Sequence, residues 1–382
     1  MQTRPRKRIA LFTGAYNHIA DGVSLTLNRL VAYLLEQGAE VLVFAPSIDV
    51  PAIEHAGRLE VLPSIAMPGR PEYRISTGVS AENQSALEAF DPTIVHLATP
   101  DVAGVQALAW AQSRGRPIVA SYHTHFSSYL GFYRMRRLEQ VMWAFLRWFY
   151  RHCEHIYVPT PSMAEVLVSH GIEDGLELWP RGVDASVFNP ERRSTAFRQR
   201  HGFQEDDVVV SFISRLVIEK GLDIYADVLA QLQQEGRRVR ALVVGDGPAC
   251  ALIRDRLPMA VFAGHLSGEE LATAYASSDV FLFPSETETF GNVTLEAMAS
   301  GVPTVCADAT GSNSLVVDGR TGFLVPARDV AAFTDCVRSL VDDPDLRARM
   351  GKEALAEALT YTWPIILGRI DRYYDSILEG RS

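Results

Sequence analysis

Short apolar runs alternate with helical segments along the first half of the chain. The runs predicted to be buried strands are Arg8–Thr13, Val41–Ala45, Ile94–Leu97, Ile118–Ser121 and Ile156–Val158. Between them, helical spacing places apolar side chains on one face of each segment, as in Val23–Leu35 and Val102–Arg114. Buried strands that alternate with helices are typical of parallel sheets.

The same alternation starts again in the second half. Its predicted strands are Val208–Ile213, Ala241–Val244, Val261–Ala263, Val280–Pro284 and Val302–Cys306. Two such halves in a chain of 382 residues predict an α/β fold with two Rossmann-like domains. The predicted domains are residues 1–185 and 186–364, and residues 365–382 are predicted to form a helix that returns to the first domain. Because ligands of such sheets bind at the carboxyl ends of the strands, we expect the domains to face a central cleft that holds the site.

Composition excludes several classes of protein. No apolar stretch reaches the roughly 18–20 residues that a spanning helix needs, and the net charge of −10 argues against a nucleic-acid partner. The four cysteines are far apart, which fits neither a disulfide framework nor a zinc site. The basic stretch Arg4–Arg8 precedes only a short apolar run, so no signal peptide is predicted and a cytoplasmic location is expected.

Two glutamates flank a predicted helix start in the second half. Glu288 lies in a loop after a strand, and Glu296 lies in the helix that begins near Gly291. Free backbone N–H groups at a helix start favour phosphate, whereas carboxylates repel phosphate and accept protons from sugar hydroxyls. The alternative is a carboxylate that interacts with the helix dipole and a solvated helix glutamate.

Two cations follow the first strand of the second half. Arg215 and Lys220 lie in the loop before a helix that begins at Leu222. Cations at the carboxyl end of a strand suit a diphosphate. The alternative is a surface arginine and a lysine paired with Glu219.

The first half also has candidate ligand-binding residues at strand ends. His123 follows a predicted strand and is a candidate for a hydrogen bond to a ligand, or else a core or surface histidine. Gly22 opens the first helix, where a small residue allows a phosphate to approach. No third ligand with metal-site spacing accompanies His123 and His125, so no metal is expected.

The segment Phe132–His155 is aromatic and rich in arginine. It predicts a core helix whose arginines extend to the surface, or a helix that contacts an anionic lipid surface.

At these residues the sequence resembles the retaining glycosyltransferases of family four, which share the GT-B fold. The resemblance covers nearly the whole chain. It rests on Asp21-Gly22-Val23, Tyr122-His123-Thr124, Arg215-x4-Lys220, Gly245-Asp246-Gly247-Pro248 and Glu288-x7-Glu296. The sequence around Glu288 and Arg215 is similar to that of the subgroup of GDP-mannose-dependent α-mannosyltransferases and sulfoquinovosyldiacylglycerol synthases. Several enzymes of this subgroup glycosylate lipids.

The resemblance implies a role for each matching residue. It implies catalytic roles for His123, Arg215, Lys220 and Glu288. It implies donor binding by Gly22, Arg215, Lys220, Leu266, Glu288, Phe290, Gly291, Asn292 and Glu296. It implies acceptor binding by Tyr73 and Arg74, in a loop from Arg70 to Arg74. Of these, Glu288 would hold sugar hydroxyls, Glu296 the ribose, and Leu266 the nucleobase through its backbone.

The resemblance also implies a nucleotide-sugar donor and a lipid or lipid-linked acceptor at the inner face of a membrane. Relatives that select guanine with side chains have an acid and a lysine where this chain has Gly268 and Leu271. These two differences leave the base open. The resemblance to the mannosyltransferases makes a GDP-mannose donor the first expectation and a UDP-sugar the second. An epimerase, a soluble-acceptor enzyme and a non-catalytic nucleotide-binding module are further alternatives. No Asp-x-Asp follows a strand, so neither a metal nor another cofactor is expected.

Overall fold

The computed structural model describes residues 7–68, 70–122, 136–288 and 290–381, and of residues 136–138 only the backbone. The chain divides into two compact units. The first unit comprises Met1–Pro180 with Ile366–Ser382, and the second comprises Arg181–Ile365. The sequence places the corresponding boundaries after residues 185 and 364, within a few residues of these positions.

The first unit is built on a seven-stranded sheet in the order β3-β2-β1-β6-β7-β8-β9, in which all neighbours are parallel. A separate antiparallel hairpin, β4–β5, precedes β6. The strands are β1 (Arg8–Phe12), β2 (Glu40–Ala45), β3 (Arg58–Val61), β4 (Ser64–Met67), β5 (Arg70–Ser76), β6 (Ile94–Leu97), β7 (Ile118–Ser121), β8 (His155–Val158) and β9 (Leu176–Leu178).

The described helices of this unit, apart from the last, lie between its strands. They are α1 (Gly22–Glu36), α2 (Ala81–Phe90), α3 (Val102–Ser113), α4 (Arg136–Tyr150), α5 (Pro161–Ser169) and α13 (Trp363–Glu379), whose residues from Ile366 onward belong to this unit. Central strands such as β6 and β7 are buried along their whole length. This explains why they are mainly apolar in the sequence, with His96 in β6 and Ser121 at the end of β7 as buried polar exceptions.

The second unit has a six-stranded parallel sheet in the order β12-β11-β10-β13-β14-β15. Its strands are β10 (Val208–Ile213), β11 (Val239–Val244), β12 (Val261–Gly264), β13 (Val280–Phe283), β14 (Thr304–Ala307) and β15 (Gly322–Val325). The strand order reverses direction between β10 and β13, and this is where ligands bind in doubly wound sheets.

Seven helices of the second unit are described: α6 (Thr195–Arg200), α7 (Leu222–Gln234), α8 (Cys250–Arg256), α9 (Gly268–Ala276), α10 (Asn292–Ala299), α11 (Val330–Asp342) and α12 (Pro344–Ala358). Each unit has its own hydrophobic core beneath these helices. The predicted α/β architecture with parallel sheets is therefore confirmed.

Candidate active site

A short ion pair joins two of the predicted residues of the second unit. Lys220 Nζ lies 2.5 Å from Glu288 Oε1 and donates to the carbonyl oxygen of Thr287 at 3.0 Å. Both side chains are largely buried, with 10% and 17% of their surface exposed. Lys220 therefore pairs with Glu288 across the sheet edge and not with Glu219, so the alternative reading of this lysine is wrong.

A glycine allows these two loops to meet. Gly221 follows Lys220 and has φ +76°, a conformation that side chains rarely adopt. A Cβ atom at this position would lie 2.5 Å from the carbonyl oxygen of Pro284, at the end of β13. Only glycine lets the loop after β10 pack this closely against the loop that carries Glu288.

A pocket of about 220 Å³ gathers three further predicted residues, Arg215, Leu266 and Glu296. Its other lining residues come from the same strand ends and from α9 and α10: Ile213, Ser214, Val244, Gly245, Asp246, His265, Leu271, Tyr275 and Val293. The pocket thus lies at the carboxyl ends of β10, β11 and β12, where a parallel sheet places its ligands.

Close backbone packing shapes one wall of this pocket. Gly245 directly follows β11 with φ +126°, and a Cβ atom there would lie 2.0 Å from the carbonyl oxygen of Ser214. No side chain fits at this distance. The glycine therefore brings the loop after β11 against the loop that carries Arg215.

Glu296 is partly buried in the wall of the pocket, which rules out the solvated helix glutamate of the alternative reading. Loss of solvent raises the pKa of its carboxyl group to about 7. The nearby hydroxyl of the buried Tyr275 opposes this rise, although it completes no hydrogen bond with the carboxylate. The group is thus poised to change charge near neutral pH.

This pKa predicts a pH-dependent affinity for nucleotide. The ionised carboxylate accepts hydrogen bonds from hydroxyl groups. It becomes the main form of Glu296 only as the pH rises through about 7. We expect the affinity for GDP or UDP, measured by calorimetry, to rise roughly tenfold from pH 6 to pH 8. Glu296→Gln is the control, because it keeps the shape of the side chain and should remove this part of the pH dependence. An identical pH profile for the variant and the wild type would contradict the assignment.

Arg215 is exposed, and no residue in the described part of the chain forms an ion pair or hydrogen bond with its guanidinium. Its charge is therefore available to an anion in the pocket.

The predicted residues at the start of α10 differ in exposure. Asn292 begins α10 and is exposed, and Gly291 precedes it with φ +97°. Phe290 differs, because its side chain is 5% exposed and packs in the core beside Tyr361. Only its backbone is free to line a donor site.

In the first unit, Gly22 is the first residue of α1, and a Cβ atom there would meet nothing within 4 Å. The carboxylate of Asp21 already accepts from the N–H groups of Val23 and Ser24, at 3.0 and 2.8 Å. A phosphate at this helix start would therefore meet an occupied cap and a negative charge, so the site is less open to phosphate than the sequence predicts.

Tyr73 and Arg74 lie in β5, so the predicted loop at this position is a strand. The guanidinium of Arg70 stacks over the ring of Tyr73 at 4.4 Å. Arg74 donates to Ser64 Oγ at 2.7 Å and to the carbonyl oxygen of Ser64 at 2.9 Å, across the hairpin. The strand forms because β5 pairs with β4. The residues Arg70–Arg74 alone show no period-two pattern that would predict it.

His123 lies outside the described residues, and its role stays a prediction. His18 was not among the predicted residues, and it is 4% exposed in the loop after β1. Its Nδ1 atom lies 3.1 Å from the carbonyl oxygen of Pro46, and no described residue hydrogen-bonds to its Nε2 atom. Burial lowers the pKa of His18, and the charge of Arg74 lowers it further. In the sequence, its position close to the Asp21-Gly22 motif was the signal that could have identified His18 as a site residue.

Among the described residues, no cluster of three or more His, Cys, Asp or Glu side chains is arranged to hold a metal.

Two family profiles match the chain, Glycosyltransferase Family 4 over residues 20–187 and Glycosyl transferases group 1 over residues 193–357. Sulfoquinovosyl transferase from Arabidopsis thaliana is 35% identical over 373 residues, which cover 94% of this chain and 72% of that protein. The GDP-mannose-dependent alpha-mannosyltransferase of Mycobacterium tuberculosis is 33% identical over 390 residues, which cover 98% of both.

Among solved structures, sucrose-phosphate synthase from Thermosynechococcus elongatus has a TM-score of 0.76 at 19% identity and covers 98% of this chain and 100% of that one. Anabaena HepE in complex with UDP has a TM-score of 0.73 at 20% identity, with 97% and 100% covered. These similarities establish the GT-B fold. The two family profiles and the sequence relatives show that the chain belongs to glycosyltransferase family 4 and is a retaining, nucleotide-sugar-dependent hexosyltransferase.

Proposed function

We propose that this enzyme transfers a hexose, with mannose from GDP-mannose favoured, to a lipid or lipid-linked glycan at the cytoplasmic face of a membrane. One observation carries the proposal. A buried Lys220–Glu288 pair and a pocket lined by Arg215 and Glu296 lie at the strand ends of a single unit. This arrangement offers cations to a diphosphate and carboxylates to sugar hydroxyls.

In the proposed reaction, Arg215 and Lys220 bind the diphosphate and stabilise the charge that develops as it leaves. Glu288, freed from Lys220, accepts hydrogen bonds from the donor hexose hydroxyls, and Glu296 does the same for the ribose hydroxyls. The acceptor oxygen bonds to the anomeric carbon while the bond from that carbon to the diphosphate oxygen breaks. The acceptor's proton passes to the departing phosphate oxygen on the same face, which retains the anomeric configuration. His123 is proposed to contact the sugar near the reacting carbon.

The donor base has two candidates. GDP-mannose is favoured because a GDP-mannose-dependent relative is similar over 98% of both chains. A UDP-sugar with glucose, glucuronate or sulfoquinovose is second, because Leu266 and Leu271 line the pocket and offer no side-chain partner to the exocyclic groups of guanine.

A donor panel with a membrane lipid extract, read by mass spectrometry, tests this function. We expect one donor to give an extractable lipid that is heavier by one sugar residue, with nucleotide release that requires the extract. Nucleotide release without any acceptor would indicate an epimerase or hydrolase. A product found only with water-soluble acceptors would overturn the lipid assignment.

We expect transfer to survive EDTA. Arg215 and Lys220 supply the positive charge that a divalent ion supplies elsewhere, and both lie at the proposed diphosphate site. The measurement is the initial rate with and without excess chelator. Complete loss of activity, restored by Mg²⁺ or Mn²⁺, would contradict this prediction.

A stripe on α4 supports attachment to a membrane surface. Val141, Phe145 and Trp148 follow each other at intervals of four and three residues, with 66%, 36% and 37% of their surface exposed. Trp143, Leu146 and Phe149 form the buried face of the same helix. In the described part of the chain, no helix has the length and apolar character needed to cross a bilayer.

Flotation with vesicles tests this surface. We expect the enzyme to float with anionic vesicles at low salt and to dissociate as salt screens the attraction. Trp148→Ala should lower the bound fraction several-fold, because it removes an exposed aromatic side chain. A wild type that stays in the soluble fraction at low salt would favour a soluble acceptor.

A further inference from the structure

The first unit contains a pocket of about 310 Å³ that the proposed chemistry does not use. It lies where the end of β5, the loop after β6 and one side of α4 meet. Its apolar lining residues are Ile75, Pro100, Met142, Phe145 and Leu146. A pocket of this volume with mainly apolar walls is typical of a ligand site.

The polar side chains of this pocket mostly serve the fold. The carboxylate of Asp101 accepts from Gly104 N at 2.8 Å and from Thr99 Oγ1 at 3.1 Å, which caps α3. The hydroxyl of Ser76 accepts from Gly78 N at 3.2 Å. These groups are already satisfied, so the walls favour an apolar ligand.

Arg74 is the exception among the lining residues. It is half-buried and hydrogen-bonds to Ser64, but no carboxylate in the described ranges pairs with it. Among the described lining residues, Arg74 is therefore the one cation of a mainly apolar pocket, and the one carboxylate, Asp101, is already engaged in capping α3. The chemistry that complements both features is an amphiphile with a hydrocarbon chain and an anionic headgroup.

The pocket is continuous with the exposed stripe of α4. Phe145 belongs to both, because it lines the pocket and is 36% exposed beside Val141 and Trp148. Phe145 therefore joins the pocket to the stripe that is proposed to face the bilayer.

We propose that this pocket binds the hydrocarbon chain of an anionic lipid acceptor, with Arg74 against the headgroup. The inference rests on the proposed function, from which it takes the lipid nature of the acceptor. An apolar cavity of about 150 Å³ holds benzene, so this pocket has room for a chain on the order of ten carbon atoms.

The test is calorimetric titration of the full chain with decyl phosphate and butyl phosphate, both below their micelle concentrations. We expect decyl phosphate to bind at least tenfold more tightly than butyl phosphate, because only its chain fills the pocket. Met142→Trp fills the pocket and should weaken decyl phosphate at least tenfold. Ala144→Trp, which adds the same ring on an exposed position of α4, should bind like the wild type. Arg74→Gln should weaken decyl phosphate and leave decanol unchanged.

Ile75→Trp is a second filling variant, taken from the opposite wall in case Met142→Trp does not fold. No binding of decyl phosphate to the wild type, or equal binding by both filling variants and Ala144→Trp, would overturn the proposal. Binding of GDP and UDP to the same proteins is measured in parallel. Loss of nucleotide binding by every protein would refute the proposed function, whereas normal nucleotide binding without decyl phosphate binding refutes only the lipid pocket.

Discussion

Arg215→Ala lowers kcat/KM for sugar transfer by about 10²–10³ while the protein stays folded. The reason is that its guanidinium, unpaired among the described residues, is available to stabilise charge on the leaving diphosphate, a contact that is strongest in the transition state. Arg254→Ala is the matched control, since Arg254 is exposed in the same unit and stacks over Phe262 at 4.2 Å, away from the pocket lining. Initial rates and circular dichroism are measured for both. Wild-type turnover in a folded Arg215→Ala protein would refute the diphosphate assignment.

Glu288→Gln is expected to cause a comparable loss. The change removes the negative charge of the carboxylate that accepts hydrogen bonds from the sugar hydroxyls. It leaves the size of the side chain unchanged. Glu286→Gln in the same loop is the control, because Glu286 pairs with the exposed Arg328 at 2.9 Å, outside the lining of the pocket. Equal activity of the two variants would show that Glu288 serves only as the partner of Lys220.

Lys7→Met is expected to destabilise the first unit by about 3–5 kcal/mol. Lys7 Nζ lies 2.5 Å from Asp371 Oδ1 and 2.8 Å from Asp375 Oδ1, and the lysine side chain is 8% exposed. Its removal leaves two carboxylates with little solvent and without a cation among the described residues, and burying an unpaired charge is costly.

Urea unfolding monitored by circular dichroism measures this effect. Arg116→Met is the control, since Arg116 pairs with Asp91 on the surface of the same unit and should cost less than about 1 kcal/mol. A triple variant that also carries Asp371→Leu and Asp375→Leu should recover much of the loss. Equal free energies of unfolding for Lys7→Met and Arg116→Met would contradict the role of the buried pair.

The central strands were predictable from the sequence because each is mainly apolar, as in β1, β6 and β7. The edge strands β3 and β9 were not, because their residues are only partly buried and their composition does not differ from that of a loop. The hairpin was missed for a related reason. β5 begins with Arg70-Pro71, a polar turn-like pair, and its strand character depends on pairing with β4.

The candidate site shows the same limit. Spacing alone placed Arg215, Lys220 and Glu288 at strand ends, where the structure has them. Lys220 and Glu288 are 68 residues apart, however, so their pairing depends on the adjacency of β10 and β13. The burial of Glu296, and hence its raised pKa, depends on Tyr275 and the pocket walls. Residue type and spacing carry no information on these tertiary contacts.

The division of the chain has a consequence for synthesis on the ribosome. The second unit is one continuous stretch, Arg181–Ile365, whereas the first unit also needs Ile366–Ser382. Domains fold as units while the polypeptide emerges. The half that is translated first therefore cannot complete its structure until α13 has left the exit tunnel. Until then, Lys7 lacks both of its carboxylate partners. A nonsense codon just before α13 would thus damage the part of the enzyme that was made at the beginning.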